Sequence, residues 1–397
     1  MMGTKSLFAT GIGLLTLALC LYLHISVYQR AVDVKATGHP FYQTSRETVC
    51  STGVLQYRSS KMGVPGKPIV VPAAQAHLLQ DYCRSSNTGL PRDVVGVTAL
   101  SDVDHYEMAK DMMRSFRTCL PDLTLVFVDL GLPEELAAEI KRLCNVRYVR
   151  MDLGDYPLYV GFLNEFRFKP VVIHNVMFDK WDLGLRPDAV FWMDSSVRLL
   201  CRHKDNRKSS FASRWKAALK EADETGVAWC FPQGFISYYF VPDSMLAYLP
   251  SPSYSLRQQM FGAGCTIFSK TQIHLDSIFI WWFGCALDPN CFLDKTNVAD
   301  PWFTGSAYIE GDWEKHKSCP VQPMHKKKPS IKSSKLPCSR TDQSALNLLW
   351  SNAHGRHRGI PKIAEVTRSA THLYNENAMS QCQPLIAAGN NKSTTTF

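Results

Sequence analysis

The sequence predicts an α/β body, a mostly parallel central sheet with helices on both faces, preceded by one N-terminal transmembrane helix. Three observations carry this. Apolar β-branched runs alternate with helix-period segments between Asp93 and Leu200, two of those runs end in an aspartate (Asp129 and Asp194), and the chain carries no charge from Leu7 to Leu23. Strand–helix alternation buries a sheet between two helical layers and makes successive strands parallel. Ligands of such sheets bind beyond the carboxyl ends of the strands.

In order, DVVGVTAL (Asp93–Leu100) reads as a buried strand. HYEMAKDMMRSFRTCL follows with Met108, Met112 and Phe116 on one helical side, and Pro121 ends it. LTLVFVDLGL is a second strand, and PEELAAEIKRLC opens on Pro133 and two glutamates, a favourable helix start. VRYVRM (Val146–Met151) is a third strand, FKPVVIHNVMFDKW a helix, and DAVFWMDSSVRLL a strand running into a loop. Beyond Asp194, SSFASRWKAALKEADETG reads as an exposed amphipathic helix and VAWCF as a strand. MFGAGCTIFS places a Gly-Ala-Gly turn before a strand, and TDQSALNLLWSNA is a helix with Thr341 or Asp342 near its cap.

Around this body the chain divides into a stub (1–6), a membrane anchor (7–28), a stem (29–90), the body itself (91–380) and a tail (381–397). The apolar stretch, extendable through Ile25 and Val27, approaches the ~20 residues that cross a hydrocarbon core. It is longer than a cleaved signal's ~7–15-residue apolar region. A short stub before the span and everything else after it make a type II topology the simplest, with a lumenal body in the Golgi membrane or the endoplasmic reticulum. Cysteine usage agrees: of 13 cysteines, Cys20 lies in the span, leaving an even number for disulfides in an oxidising compartment. Cys285 and Cys291, in CALDPNC, suit a local bridge, whereas Cys50 and Cys83 suit a tie between stem and body. The sequon at Asn391 would put any glycan on the tail.

Composition excludes fibrous and wholly disordered classes, with 45% hydrophobic and 11% aromatic residues available for a core. The net charge of +9 is spread along the chain and peaks in the loop His325–Lys335. It suits an anionic ligand such as a nucleoside diphosphate. No zinc-finger spacing or aromatic RNA-binding signature accompanies it, so no nucleic-acid partner is expected. GxSxG, Walker and HExxH strings are absent.

The string most informative about chemistry is Phe191-Trp192-Met193-Asp194-Ser195-Ser196. An apolar strand there delivers a carboxylate to its end, where it can hold a divalent cation, Mn2+ or Mg2+, between two phosphates. The usual signature of such sites has two aspartates flanking one residue, and Ser196 stands in the second place. Taken alone, the alternative reading of Asp194 is a cap or turn former. Trp281, Trp282 and Phe283 read as helix-core packing before a sugar-stacking platform.

The ordered strings VTALSDVDHY, FVDLGL, NEFRFKP, FWMDSSVR, FGAGCTIF, CALDPNC and RTDQSALNLL span about Asp93 to Asn352. In them the chain resembles an uncharacterised metazoan family, abundant in nematodes, of nucleotide-diphospho-sugar transferases. FGAGCTIF and DQSALN also resemble motifs of glycogenin-like and galactosyltransferase enzymes of the GT-A kind. The resemblance implies a GT-A-like fold and a glycosyltransferase moving a sugar, from a UDP-sugar by first expectation, to a glycan, protein or lipid acceptor. It further implies Arg167 and Lys169 near the donor diphosphate, Asp194 and Ser196 at metal or ribose, and Gly262, Ala263 and Gly264 leaving room for the sugar. Asp342 would be the base of an inverting reaction and Gln343 the group beneath the anomeric carbon of a retaining one. His354 and His357, in NAHGRHRG, would offer a late metal ligand. The alternative function is a non-catalytic lumenal protein on the same fold, binding a sugar nucleotide or glycan.

Overall fold

The computed structural model describes residues 54–58, 62, 64–84, 93–201, 210–237, 240–292, 341–355 and 363–366. Two short paired strands come first, β1 (Val54–Leu55) and β2 (Ile69–Val70), then helix α1 (Ala76–Arg84). Next come β3 (Val94–Leu100), α2 (Tyr106–Cys119), β4 (Leu125–Asp129), α3 (Glu134–Lys141), β5 (Val146–Arg150), α4 (Phe168–Met177), β6 (Ala189–Met193) and β7 (Val197–Leu199). The second half holds α5 (Phe211–Thr225), β8 (Val227–Trp229), β9 (Pro232–Ile236), α6 (Asp243–Tyr248), α7 (Ser253–Leu256), β10 (Gln259–Phe261) and β11 (Cys265–Ser269). A helical run follows from Gln272, with a π turn at Leu275–Phe279 leading into α8 (Ile280–Leu287). Then come α9 (Thr341–His354) and β12 (Ala364–Val366).

Six strands form the central sheet in the order β5-β4-β3-β6-β11-β8. The first four are parallel, as the alternation predicts. β11 breaks the pattern, running antiparallel to both β6 and β8. The chain enters it through the tight turn at Gly262–Gly264 after β10 rather than through a crossover helix. The sheet is therefore mixed, and the departure falls where the strand–helix alternation of the sequence stops.

Side chains along each strand alternate between two apolar clusters, one per face. Val95, Val97, Val126, Val128, Val190 and Trp192 enter the cluster that holds α4, α8 and α9. Phe127, Phe191 and Met193 enter the other, with Phe116 of α2 and Ala218 of α5. Helices thus cover both faces, and both β4 and β6 are buried throughout. Gly96 of β3 is required by this packing, since a Cβ there would lie 2.6 Å from the Phe116 ring.

Several described residues of the stretch that the sequence reading assigns to a stem join the core. Leu55, Tyr57, Ile69, Leu79 and Tyr82 are buried, and the Tyr57 ring packs edge-on to Trp281 at 5.3 Å. Val70 N donates to Asp288 Oδ2 at 2.9 Å, which fastens β2 to the loop after α8. Trp281, Trp282 and Phe283 are buried in that same cluster. Disulfides join Cys119 to Cys201, Cys230 to Cys265 and Cys285 to Cys291, the last as its spacing suggests. Among the described residues no helix is long and apolar enough to cross a membrane. The expected span at 7–28, the basic loop at 325–335, Cys50, His357 and Asn391 lie outside them.

Candidate functional site at the ends of β3 and β6

From β3 the chain moves through β4 to β5 on one side of the sheet, then returns to place β6 on the other side of β3. The crevice beyond the carboxyl ends of β3 and β6 is therefore the topological switch point, where open α/β sheets bind ligands. Two segments emerge there, Ser101–His105 after β3 and Asp194–Ser196 after β6.

Asp194 is held by backbone and side chains together. Its N–H donates to Gly264 O at 2.7 Å, and Trp192 Nε1 donates to its Oδ1 at 2.7 Å. Lys169 Nζ, from the first turn of α4, reaches Oδ1 at 3.0 Å and Oδ2 at 3.2 Å. Gly264 must be glycine for this geometry, because a Cβ would stand 2.6 Å from Asp194 Oδ2. The same ammonium is 3.3 Å from Asp342 Oδ2, in the first turn of α9. The Lys169 and Asp342 side chains are each 5% exposed, whereas Asp194 is 33% exposed and forms the accessible side of the cluster.

The helices that supply these groups are pinned close to them. Thr341 Oγ1 donates to Glu165 O at 2.5 Å, and Trp282 Nε1 donates to Asp342 O at 2.9 Å. Asn347 bonds both N and O of Phe261, at 2.8 and 2.9 Å, just before the glycine turn. Phe166 takes a left-handed conformation (φ 54°) and sets its ring 4.6 Å from Lys169 Nζ, with Trp192 at 5.7 Å. A bulky residue at positive φ is backbone strain held by its surroundings, and such strain gathers at functional sites.

Burial raises the Asp342 carboxyl above its usual range and Asp194 adds to the rise, against the pull of Lys169. Burial also works against charge on Lys169, but Asp194 and Asp342 outweigh it and hold the ammonium above its ordinary value. Across the crevice, Asp102 Oδ1 accepts from His105 N at 2.9 Å and pairs with Nδ1 at 2.6 Å. That bond raises the His105 pKa, and the charge of Asp194 contributes, so both strand ends share one electrostatic environment. His105 is a candidate that the sequence reading did not name; its signal was an aspartate and a histidine three apart directly after a buried strand.

Of the residues expected from sequence, Lys169, Asp194, Gly264 and Asp342 converge. Ser196 is half-buried two residues beyond Asp194, and Gln343 is buried one residue beyond Asp342. Gly262 and Ala263 are buried in the turn that precedes Gly264.

Two expectations need correction. Arg167 is fully buried, with Nε on Glu165 at 2.5 Å, Nη1 on the carbonyls of Cys285, Ala286 and Asp288, and Nη2 on Pro289 O. Its fork braces the disulfide loop after α8 and is spent there, not on a donor. His354 sits at the far end of α9, about 18 Å along the helix from Asp342 at ~1.5 Å per residue, its ring beside Trp350 and His274. It cannot share a metal with Asp194.

Among the described residues the donor set does not match a divalent cation either. Such ions gather several oxygens, and among the described residues no group of three His, Cys, Asp or Glu converges. The two carboxylates that do meet already share an ammonium.

A family described as "Protein of unknown function (DUF1647)" matches residues 79–174. No curated protein matches the chain. Solved structures similar to it include the galactosyltransferase LgtC in complex with donor and acceptor sugar analogues, at 13% identity, covering 47% of this chain and 63% of that one, with a TM-score of 0.27. The bifunctional glycosyltransferase WbbM matches at 12% identity, over 50% of this chain and 36% of that one, with a TM-score of 0.30. The mannosyltransferase PcManGT from Pyrobaculum calidifontis, in complex with GDP-Man and Mn2+, matches at 11% identity, over 50% and 52%, with a TM-score of 0.26. The chain thus spans less than two thirds of each of these proteins. All three are glycosyltransferases, but at these TM-scores nothing is carried from them. The metazoan, nematode-abundant family of the sequence resemblance gains no support from the matches.

Proposed function

We propose that the chain is a nucleotide-sugar-dependent glycosyltransferase of the GT-A kind. The observation that carries the reading is the Lys169–Asp194–Asp342 cluster at the switch point between β3 and β6. Asp194, its exposed member, accepts hydrogen bonds from donor hydroxyls. His105 and Lys169 supply positive charge where a departing diphosphate builds negative charge. Asp342, with its raised pKa and its link to Lys169, receives the proton of the acceptor hydroxyl as that oxygen attacks the anomeric carbon. The bond from that carbon to the diphosphate breaks, and the nucleoside diphosphate leaves. Gln343 belongs beside the sugar, and the turn Gly262–Gly264 leaves space for it.

The same reading places the body in the lumen of the Golgi or endoplasmic reticulum on a type II anchor at 7–28, acting on a glycan, protein or lipid acceptor. Incubating the full-length chain with UDP- and GDP-sugars, with and without acceptor arrays, and following nucleoside diphosphate release tests it. Release that disappears in Asp342→Asn while the fold persists is the expected outcome. No release from any donor, on folded protein that still binds nucleotide, would favour a second reading. In that reading, motivated by Ser196 and by the ion-paired state of Asp194, the chain is a non-catalytic sugar-nucleotide-binding protein.

A further inference from the structure

We infer that the Lys169 ammonium takes the place of a divalent cation in this site, so that donor binding and diphosphate departure need no metal. The inference rests on the transferase reading and specifies how that site meets its donor.

Four observations point the same way. Lys169 Nζ lies 3.0 Å from Asp194 and 3.3 Å from Asp342, carboxylates that reach it from a strand end and from a distant helix. This is the central position a bridging cation would occupy. An ammonium has three protons to share among such oxygens and no acceptor, and Trp192 Nε1 already occupies Asp194 Oδ1 as well. The Lys169 and Asp342 side chains are each 5% exposed, so an ion reaching the exposed edge of Asp194 cannot also reach Asp342 without displacing the lysine. Finally, Ser196, two residues beyond Asp194, offers no second carboxylate at this strand end. A dication beside a fixed ammonium would meet like charge at short range in a poorly screened setting. Asp194 therefore presents a locked acceptor to ligand hydroxyls, not a free ligand to a metal.

This arrangement makes a converse prediction. Removing the ammonium leaves two carboxylates facing one vacated point, which is the beginning of a cation site. Full-length wild type, Lys169→Ala and Lys169→Arg are titrated with Mn2+ alone, following the free-ion signal by electron paramagnetic resonance. Affinity for UDP and GDP is measured by calorimetry in EDTA and in Mn2+. Wild type and Lys169→Arg are expected to take up no Mn2+, and wild-type nucleotide affinity is expected to agree within about twofold between the two buffers. Lys169→Ala is expected to bind Mn2+ and to be stabilised by it. If that variant folds only with Mn2+ present, the same readout is obtained by refolding with and without the ion.

A gain of about tenfold or more in wild-type nucleotide affinity with Mn2+, or Mn2+ uptake by wild type that Asp194→Asn removes, overturns the inference. Absence of nucleotide binding in both buffers sinks the transferase reading, and with it the claim about the donor; the Mn2+ titration then decides only whether the Lys169 ammonium excludes a cation from the two carboxylates.

Discussion

Replacing Lys169 by methionine keeps an unbranched side chain one atom shorter and removes its charge. It strands Asp342, which is 5% exposed and whose buried Oδ2 has Lys169 as its counter-charge at 3.3 Å. Breaking a buried ion pair from one side costs about 3–5 kcal/mol, because the remaining charge is left uncompensated. For a body of this size, at ~2–4 °C per kcal/mol, the midpoint should fall by on the order of 10 °C. The loss should also depend on pH, and its sign is fixed. The folded pKa of Asp342 is already raised by burial, and Lys169 is the main influence holding it down. Without the lysine it rises further. A carboxyl with a raised folded pKa holds its proton better in the folded state, so stability falls as pH rises through that value. Below it, protonation relieves the uncompensated charge. Lys169 itself, raised above 10.5, contributes across the whole neutral range. Urea unfolding followed from acid pH to about pH 8 should therefore show a loss that grows as pH rises. A loss below about 1 kcal/mol throughout, or one that shrinks as pH rises, would refute the ion-cluster account.

Further outcomes follow from other parts of the site. Gly264→Ala places a Cβ 2.6 Å from Asp194 Oδ2 and should cost about 1–3 kcal/mol in unfolding experiments while abolishing donor-induced stabilisation. Replacing Cys285 and Cys291 together by serine removes a bridge of sequence separation 6, worth roughly 2 kcal/mol by loop-closure entropy. Calorimetric unfolding checks that value, and donor affinity should weaken too, because Arg167 ties this loop to the helix start that carries Lys169. Asp102→Asn should lower the His105 pKa toward its ordinary value, read by NMR titration of the ring, since the Asp102 hydrogen bond is the chief cause of its elevation.

The parallel half of the sheet was legible because its signals are local. β-branched runs such as Val94–Val97 and Leu125–Val128 sit between helix-period segments, and the Cys285–Cys291 loop declared itself by spacing. The core residues before Asp93 were not legible as such. Leu55, Tyr57 and Ile69 are scattered among glycine, proline and polar residues with no period, and their burial depends on partners such as Trp281 far along the chain. Asp194 was visible as a carboxylate ending an apolar strand. Its meeting with Lys169 and Asp342 depends on long-range packing, through Thr341 on Glu165 and Asn347 on Phe261. A resemblance could suggest those residues, but no local pattern could bring them together. Arg167 misled for the same reason. Two residues from Lys169 in sequence, it faces the loop at 285–289, because a helix start sends neighbouring side chains in different directions.

The most direct test of the central claim is donor binding at Asp194. The full-length chain and its Asp194→Ala variant are titrated calorimetrically with UDP- and GDP-sugars, with unfolding curves run on the same samples. The account predicts saturable, nucleotide-selective binding by the wild type. It predicts a loss of at least about tenfold in affinity in a variant that still unfolds cooperatively. Equal affinity in the two proteins would contradict it, placing the ligand away from the crevice between β3 and β6.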